Sequence, residues 1–227
     1  VISMYEILTG PLLWFAFAVF FIGLGARVVL YFLGLDWRLD RVAYKPHMAH
    51  GLKGAALSVY RWVLPFGTHS WREKPIFTIM FFAMHAGLVV VPLFLEGHAV
   101  MIKSGTGIDW PSMPQILADI LAIAALLGGL GIALRRLLLP EVRILTNVQD
   151  VLLLVLILTL LGSGIIAAHN PVHYSFWINL HILCGVTVLL LAPFTKLAHI
   201  VLFFCTRIQI GMDFGIKRGG MKTNFDW

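Results

Sequence analysis

Five stretches of this chain are each long and apolar enough to cross a bilayer, and that limits its fold more than any other feature. They run from about residue 7 to 33, 76 to 102, 116 to 139, 148 to 168 and 176 to 205. A helix needs roughly 20 apolar residues to span about 30 Å of hydrocarbon. In that medium every backbone amide must find its partner within the protein. The expected fold is therefore an all-α integral membrane protein, a five-transmembrane-helix bundle. Composition agrees, with 59% hydrophobic and 12% charged residues against about 25% charged in a soluble domain. A soluble enzyme and a nucleic-acid-binding module are both excluded. The first stretch is too long for a signal-peptide core and is preceded by Glu6 rather than a basic region, so it reads as a retained span. The longest hydrophilic segment, residues 36–75, is too short for a separate folded domain. Residues 1–227 thus form one membrane domain. An amphipathic piece at 52–64 is expected to lie along the membrane interface.

The basic residues give the direction. Arg38, Arg41, Lys45, Lys53, Arg61, Arg72 and Lys74 follow the first span. Arg135, Arg136 and Arg143 join the third to the fourth, and Lys196, Arg207, Lys217, Arg218 and Lys222 close the chain. With Arg27 they place 16 of 17 basic residues on one side, leaving Lys103 alone on the other. Lys and Arg accumulate on the cytoplasmic side, so the N-terminus is expected outside and the C-terminus in the cytoplasm. The net charge of +6 is a topology signal rather than a sign of nucleic acid.

Four of the nine histidines, His85, His98, His181 and His199, fall inside the second and fifth spans. Polar groups in hydrocarbon are costly and mark function. In a continuous helix His181 and His199, 18 residues apart, are five turns apart on one face. His85 and His199 match in depth towards the inside, and His98 and His181 towards the outside. Facing imidazole pairs are what bis-histidine haem ligation requires. The plainer alternative is that each histidine bonds a neighbouring carbonyl or lines a polar cavity. His85 and His98 are 13 apart, about 220° round an ideal helix. Pro92 lies between them, so a distorted second span is expected. The glycines Gly128, Gly129 and Gly131, with Gly162 and Gly164, admit either close helix packing or a haem plane. Cys184 and Cys205 read as packing residues. His47 and His50 have the spacing of a metal pair but lack carboxylate or cysteine company.

Leu180-His181 and the run Pro193-Phe194-Thr195-Lys196-Leu197-Ala198-His199-Ile200 resemble the last helix of the nitrate reductase gamma subunit, a five-span di-haem cytochrome b. Met84-His85-Ala86-Gly87-Leu88 and Gly97-His98 resemble its second-helix ligand positions. The segment Lys45-Pro46-His47-Met48-Ala49-His50-Gly51 and the tail Gly211-Met212-Asp213-Phe214-Gly215-Ile216 are similar to the cytochrome b subunits of the transmembrane redox complexes of sulfate-respiring bacteria, of the high-molecular-weight cytochrome c type.

The resemblance implies two b haems in a bacterial inner membrane. His85 and His199 would hold the inner haem, and His98 and His181 the outer one. Arg135 and Arg136, with Lys196, are candidate propionate partners. It also implies exchange with a quinone, menaquinone being the candidate, beside the outer haem. There Glu96 is the candidate proton acceptor and Lys103 a candidate hydrogen-bond donor to a quinone carbonyl, with His169 and His173 as candidate relays. The implied partners are a cytoplasmic iron–sulfur subunit, other membrane subunits and a periplasmic multihaem cytochrome c. On this reading the chain is an electron-transfer subunit, not catalytic alone. Two rivals remain open at this level, a small transporter with a histidine proton path and a haem-free membrane anchor.

Overall fold

A computed structural model describes residues 3–35 and 48–214. Arg38, Arg41, Lys45, Pro46, His47, Gly215, Ile216, Lys217, Arg218 and Lys222, named above, lie outside the described residues. Among the described residues the regular structure is wholly helical. In chain order the helices are α1 (Met4–Thr9), α2 (Pro11–Leu33), α3 (Met48–Val63), α4 (His69–Glu73), α5 (Pro75–Phe94), α6 (Glu96–Thr106), α7 (Gln115–Leu138), α8 (Pro140–Ile144), α9 (Val148–His169), α10 (Tyr174–Leu191) and α11 (His199–Phe214). Two 3-10 turns, Ala192–Phe194 and Lys196–Ala198, join α10 to α11.

Six helical stretches are long and apolar enough to cross a membrane: Met4–Leu33, Pro75–Phe94, Gln115–Leu138, Val148–His169, Tyr174–Phe194 and Lys196–Phe214. Their surfaces carry large apolar side chains facing outwards, among them Phe21, Ile22, Ile116 and Leu137. Water would not tolerate so continuous an apolar surface, whereas lipid would. The chain is a multi-pass membrane protein.

Two of the expected spans are interrupted. The second breaks after Phe94, where Leu95 turns out of the helix (φ −64°, ψ 136°) and α6 begins. Proline has no N–H to donate, and Pro92 stands inside the last turn of α5. The carbonyls at the break are recovered by the following loop. Leu93 O accepts the Trp110 indole N–H at 2.6 Å, and Phe94 O accepts the Met113 amide at 2.8 Å. The expected distortion is thus a full break.

The fifth span divides as well, so the five expected stretches become six candidates. Pro193 ends α10 and Thr195 is fully extended (φ −122°, ψ −173°). His181 and His199 therefore do not sit five turns apart on one helix face. That expectation assumed a continuous helix, and the chain leaves the helix through the turns around Pro193 and Thr195.

The described residues form two compact units. The first holds α1, with α5 to α9 and α10 as far as Val188. Its helices meet through glycines. A methyl group at Gly128 would lie 2.5 Å from the Met80 carbonyl oxygen, and one at Gly129 would lie 2.9 Å from the Leu158 side chain. These two glycines serve close helix packing, of α7 on α5 and on α9.

The second unit holds α2, α3, α4 and the described residues from Leu189 on. Here α3 packs against α11. Its small face, Gly51, Gly54, Ala55 and Ser58, is buried, and Gly211 of α11 comes so close that an added methyl would meet Gly54 O at 2.5 Å. Arg207 of α11 lies 4.6 Å over the Trp62 ring. On α2, Gly23 abuts the Pro193 ring, and Arg27 Nε donates to Pro193 O at 2.6 Å. An arginine in the apolar half of the first span is thereby explained, because it satisfies a carbonyl at the break.

Candidate functional site

The break after Phe94 turns α6 so that His98 faces His181 of α10. Their ring centres are 6.1 Å apart and the ring planes differ by 10°. A metal–imidazole bond is about 2.0 Å, so two imidazoles bound on opposite sides of one metal ion have ring centres roughly 6 Å apart. The two histidines already stand at that spacing.

Each ring is held by its other nitrogen. His181 Nδ1 donates to Leu160 O of α9 at 3.0 Å, and His98 Nδ1 makes a longer bond, 3.4 Å, to Val91 O. A carbonyl only accepts, so each Nδ1 carries the proton and each Nε2 presents a lone pair, the arrangement of metal-binding histidines. The seat for His181 is made by Gly164. A methyl group there would lie 2.8 Å from both Cε1 and Nδ1 of the ring. Gly162, two residues earlier, faces open space. Both rings are half-buried.

His85 and His199 follow the same local rule. His85 Nδ1 lies 2.8 Å from Phe81 O, with its ring 4.0 Å from the Phe81 ring centre. His199, the first residue of α11, places Nδ1 2.9 Å from Lys196 O. His85 belongs to the first unit and His199 to the second, so their pairing stays with the sequence reading.

The residues suggested for quinone and proton chemistry are spread over a wider area. Glu96 is exposed in the first turn of α6, and Lys103 in its last turn is bridged to Asp109 at 2.5 Å. Seven residues separate them, about 10 Å of helix rise. His169 Nε2 sits 3.3 Å from Asp119 Oδ1, which also accepts from Gln115 Nε2 at 2.8 Å. This joins the C-terminal end of α9 to the N-terminal part of α7. His173 instead lines a cavity of about 800 Å³ with Met4, Tyr174, Asn179, Leu180 and Leu183.

Of the candidate propionate partners, Arg135 stacks 4.5 Å over the Phe77 ring. Arg136 Nη1 donates to Thr146 Oγ1 at 2.9 Å and lies 4.0 Å from Asp150 Oδ2. Asp150 closes the capping box of α9 with Asn147. Arg136 thus pins the loop between α7 and α9. On the surface of α4, His69 pairs with Glu73 at 2.9 Å. Cys184 and Cys205 are free and buried.

Three contributors escaped the sequence reading: the Leu160 carbonyl, Trp110 and Met113. The only signal for the last two was their place shortly after a proline-bearing span. Among the described residues no group of three or more His, Cys, Asp or Glu side chains could hold a metal ion. The donor set on offer is a pair of imidazoles.

No known family model matches the chain. It is 52% identical over 226 residues to a relative from Nitratidesulfovibrio vulgaris (strain Hildenborough) that is named simply "Protein". The match takes in 99% of this chain and 100% of the relative.

Proposed function

The chain belongs to the family of that Nitratidesulfovibrio vulgaris protein, and we propose that it is the di-haem b membrane subunit of a respiratory oxidoreductase. The observation that carries the reading is the His98–His181 pair, 6.1 Å between ring centres with both Nδ1 atoms held by carbonyls. Two imidazoles alone are too few for a tetrahedral site. They suit a haem, whose macrocycle supplies the other four nitrogens. By the sequence reading His85 and His199 hold a second haem towards the cytoplasm.

When bound, the haems supply one-electron exchange across the membrane. The protein's part is to orient the ligands and keep water out. His181 is fixed by Leu160 O and by the space at Gly164, while Trp110 and Met113 hold the break that aims His98. On the outer side we place quinol oxidation, which releases two electrons and two protons. The cavity beside His173, which Leu180 next to His181 also lines, is large enough for a quinone head group. Glu96 and His173 are the proton acceptors nearest in sequence to the two ligands, and Lys103 with Asp109 borders the same α6.

In this proposal the chain makes five crossings with the N-terminus outside. The α3–α11 pair lies at the cytoplasmic face of the bacterial inner membrane, where it docks an iron–sulfur subunit. A periplasmic multihaem cytochrome c is the outer partner. An electron crossing the full membrane works with or against about 2.3 kcal/mol per 100 mV.

The test is haem extraction and a dithionite-reduced minus oxidised spectrum of the purified chain. Two b haems per chain are expected. A chain that carries none when expressed with haem supply overturns the proposal.

A further inference from the structure

The Leu160 carbonyl that holds His181 has more suitors than lone pairs. In an α-helix it accepts the amide of residue 164. Two other donors reach the same oxygen, His181 Nδ1 at 3.0 Å and Ser163 Oγ at 3.1 Å. A carbonyl oxygen offers two lone pairs, so the three compete. Ser163 is 2% exposed, which leaves its hydroxyl little access to water as an alternative. Helical serines commonly bond back onto the preceding turn. What sets Ser163 apart is that its carbonyl is the one a candidate ligand depends on.

The strength of the bond from Nδ1–H tunes what Nε2 can give. A strongly donated Nδ1–H makes the imidazole a more basic ligand, and a more basic axial ligand stabilises the oxidised metal and lowers its potential. By taking a share of Leu160 O, the Ser163 hydroxyl weakens the His181 bond and moves the balance the other way.

We infer that Ser163 is a positioning residue that sets the donor strength of His181 through the shared Leu160 carbonyl and so raises the reduction potential of the outer haem. The inference rests on His98 and His181 being haem ligands.

The experiment is a potentiometric titration, followed at the b-type α band, of the full chain with haem bound, in wild type, Ser163→Ala, Ser163→Cys and Ser163→Thr. The outer haem is identified as the one missing from His181→Ala. In Ser163→Ala it should titrate lower, with at least a threefold change in its reduction equilibrium. That is about 28 mV for a one-electron couple, for which tenfold is 59 mV. Ser163→Cys, a weaker donor of similar size, should fall between, Ser163→Thr should match wild type, and the other haem should not move. An unmoved outer potential in Ser163→Ala overturns the inference and leaves the haem assignment standing. The same holds if Thr shifts it as Ala does, or if both haems shift together. Should Ser163→Ala lose the haem, an unmoved potential in Ser163→Cys is the overturning result. A wild-type chain without haem overturns the assignment and the inference together.

Discussion

Gly164 has no side chain, and the His181 ring occupies the space where one would begin. Alanine there puts a methyl 2.8 Å from two ring atoms, closer than carbon atoms approach, while the backbone of α9 leaves little room to retreat. The ring must leave Leu160 O, and with it the line to His98. Gly164→Ala is therefore expected to hold about one haem per chain instead of two. Gly162→Ala, whose methyl points into open space, should hold two. Haem extraction on both variants checks this, and equal loading would separate Gly164 from the site. The four candidate ligands stood out in the sequence because histidines in apolar helices are conspicuous. The role of Gly164 was not, since a glycine in a membrane helix reads equally as packing or as access until the neighbour across the helix is known. The same reason hid Ser163, whose back-bond is ordinary apart from the carbonyl it reaches.

The elements show where apolar runs inform and where they mislead. A run records that a segment suits lipid, but not whether its backbone stays continuous. The second span breaks at Leu95 rather than bending at Pro92, because Trp110 and Met113 supply donors for the freed carbonyls. The fifth divides at Pro193, because Arg27 reaches across from α2 to its carbonyl. Both breaks need partners distant in sequence, so a proline alone did not give their extent. Arg27→Leu should leave Pro193 O without its charged donor, a loss of about 1–3 kcal/mol for a buried acceptor. The expected readout is a lower unfolding midpoint in detergent, and an unchanged midpoint would show that the break does not depend on Arg27. The helix α3 was legible as amphipathic but not as a partner of α11. Its spacing of small residues, Gly51, Gly54, Ala55 and Ser58, was the available signal, since such stripes let helices approach closely.

At the scale of the whole molecule the strongest sequence signal is the distribution of charge, which the proposed five-crossing topology resolves into 16 of 17 basic residues on one side. The proposed topology therefore predicts opposite reactivities for two lysines on described helices. In spheroplasts a membrane-impermeant amine reagent should label Lys103 and spare Lys53, with both labelled after lysis. Labelling of Lys53 in intact spheroplasts would contradict the orientation and move the α3–α11 docking face outside. On the proposed topology His98 and His181 form an outer layer and His85 and His199 an inner one along the same axis.

The pairing of His98 with His181 is tested most directly by low-temperature electron paramagnetic resonance of the oxidised chain in wild type, His98→Ala and His181→Ala. Nearly parallel imidazole planes, 10° apart, predict a rhombic low-spin signal from one haem. That signal should vanish in both variants while a second low-spin signal survives in each. If the two substitutions remove different signals, or if either leaves both signals intact, His98 and His181 do not share a haem.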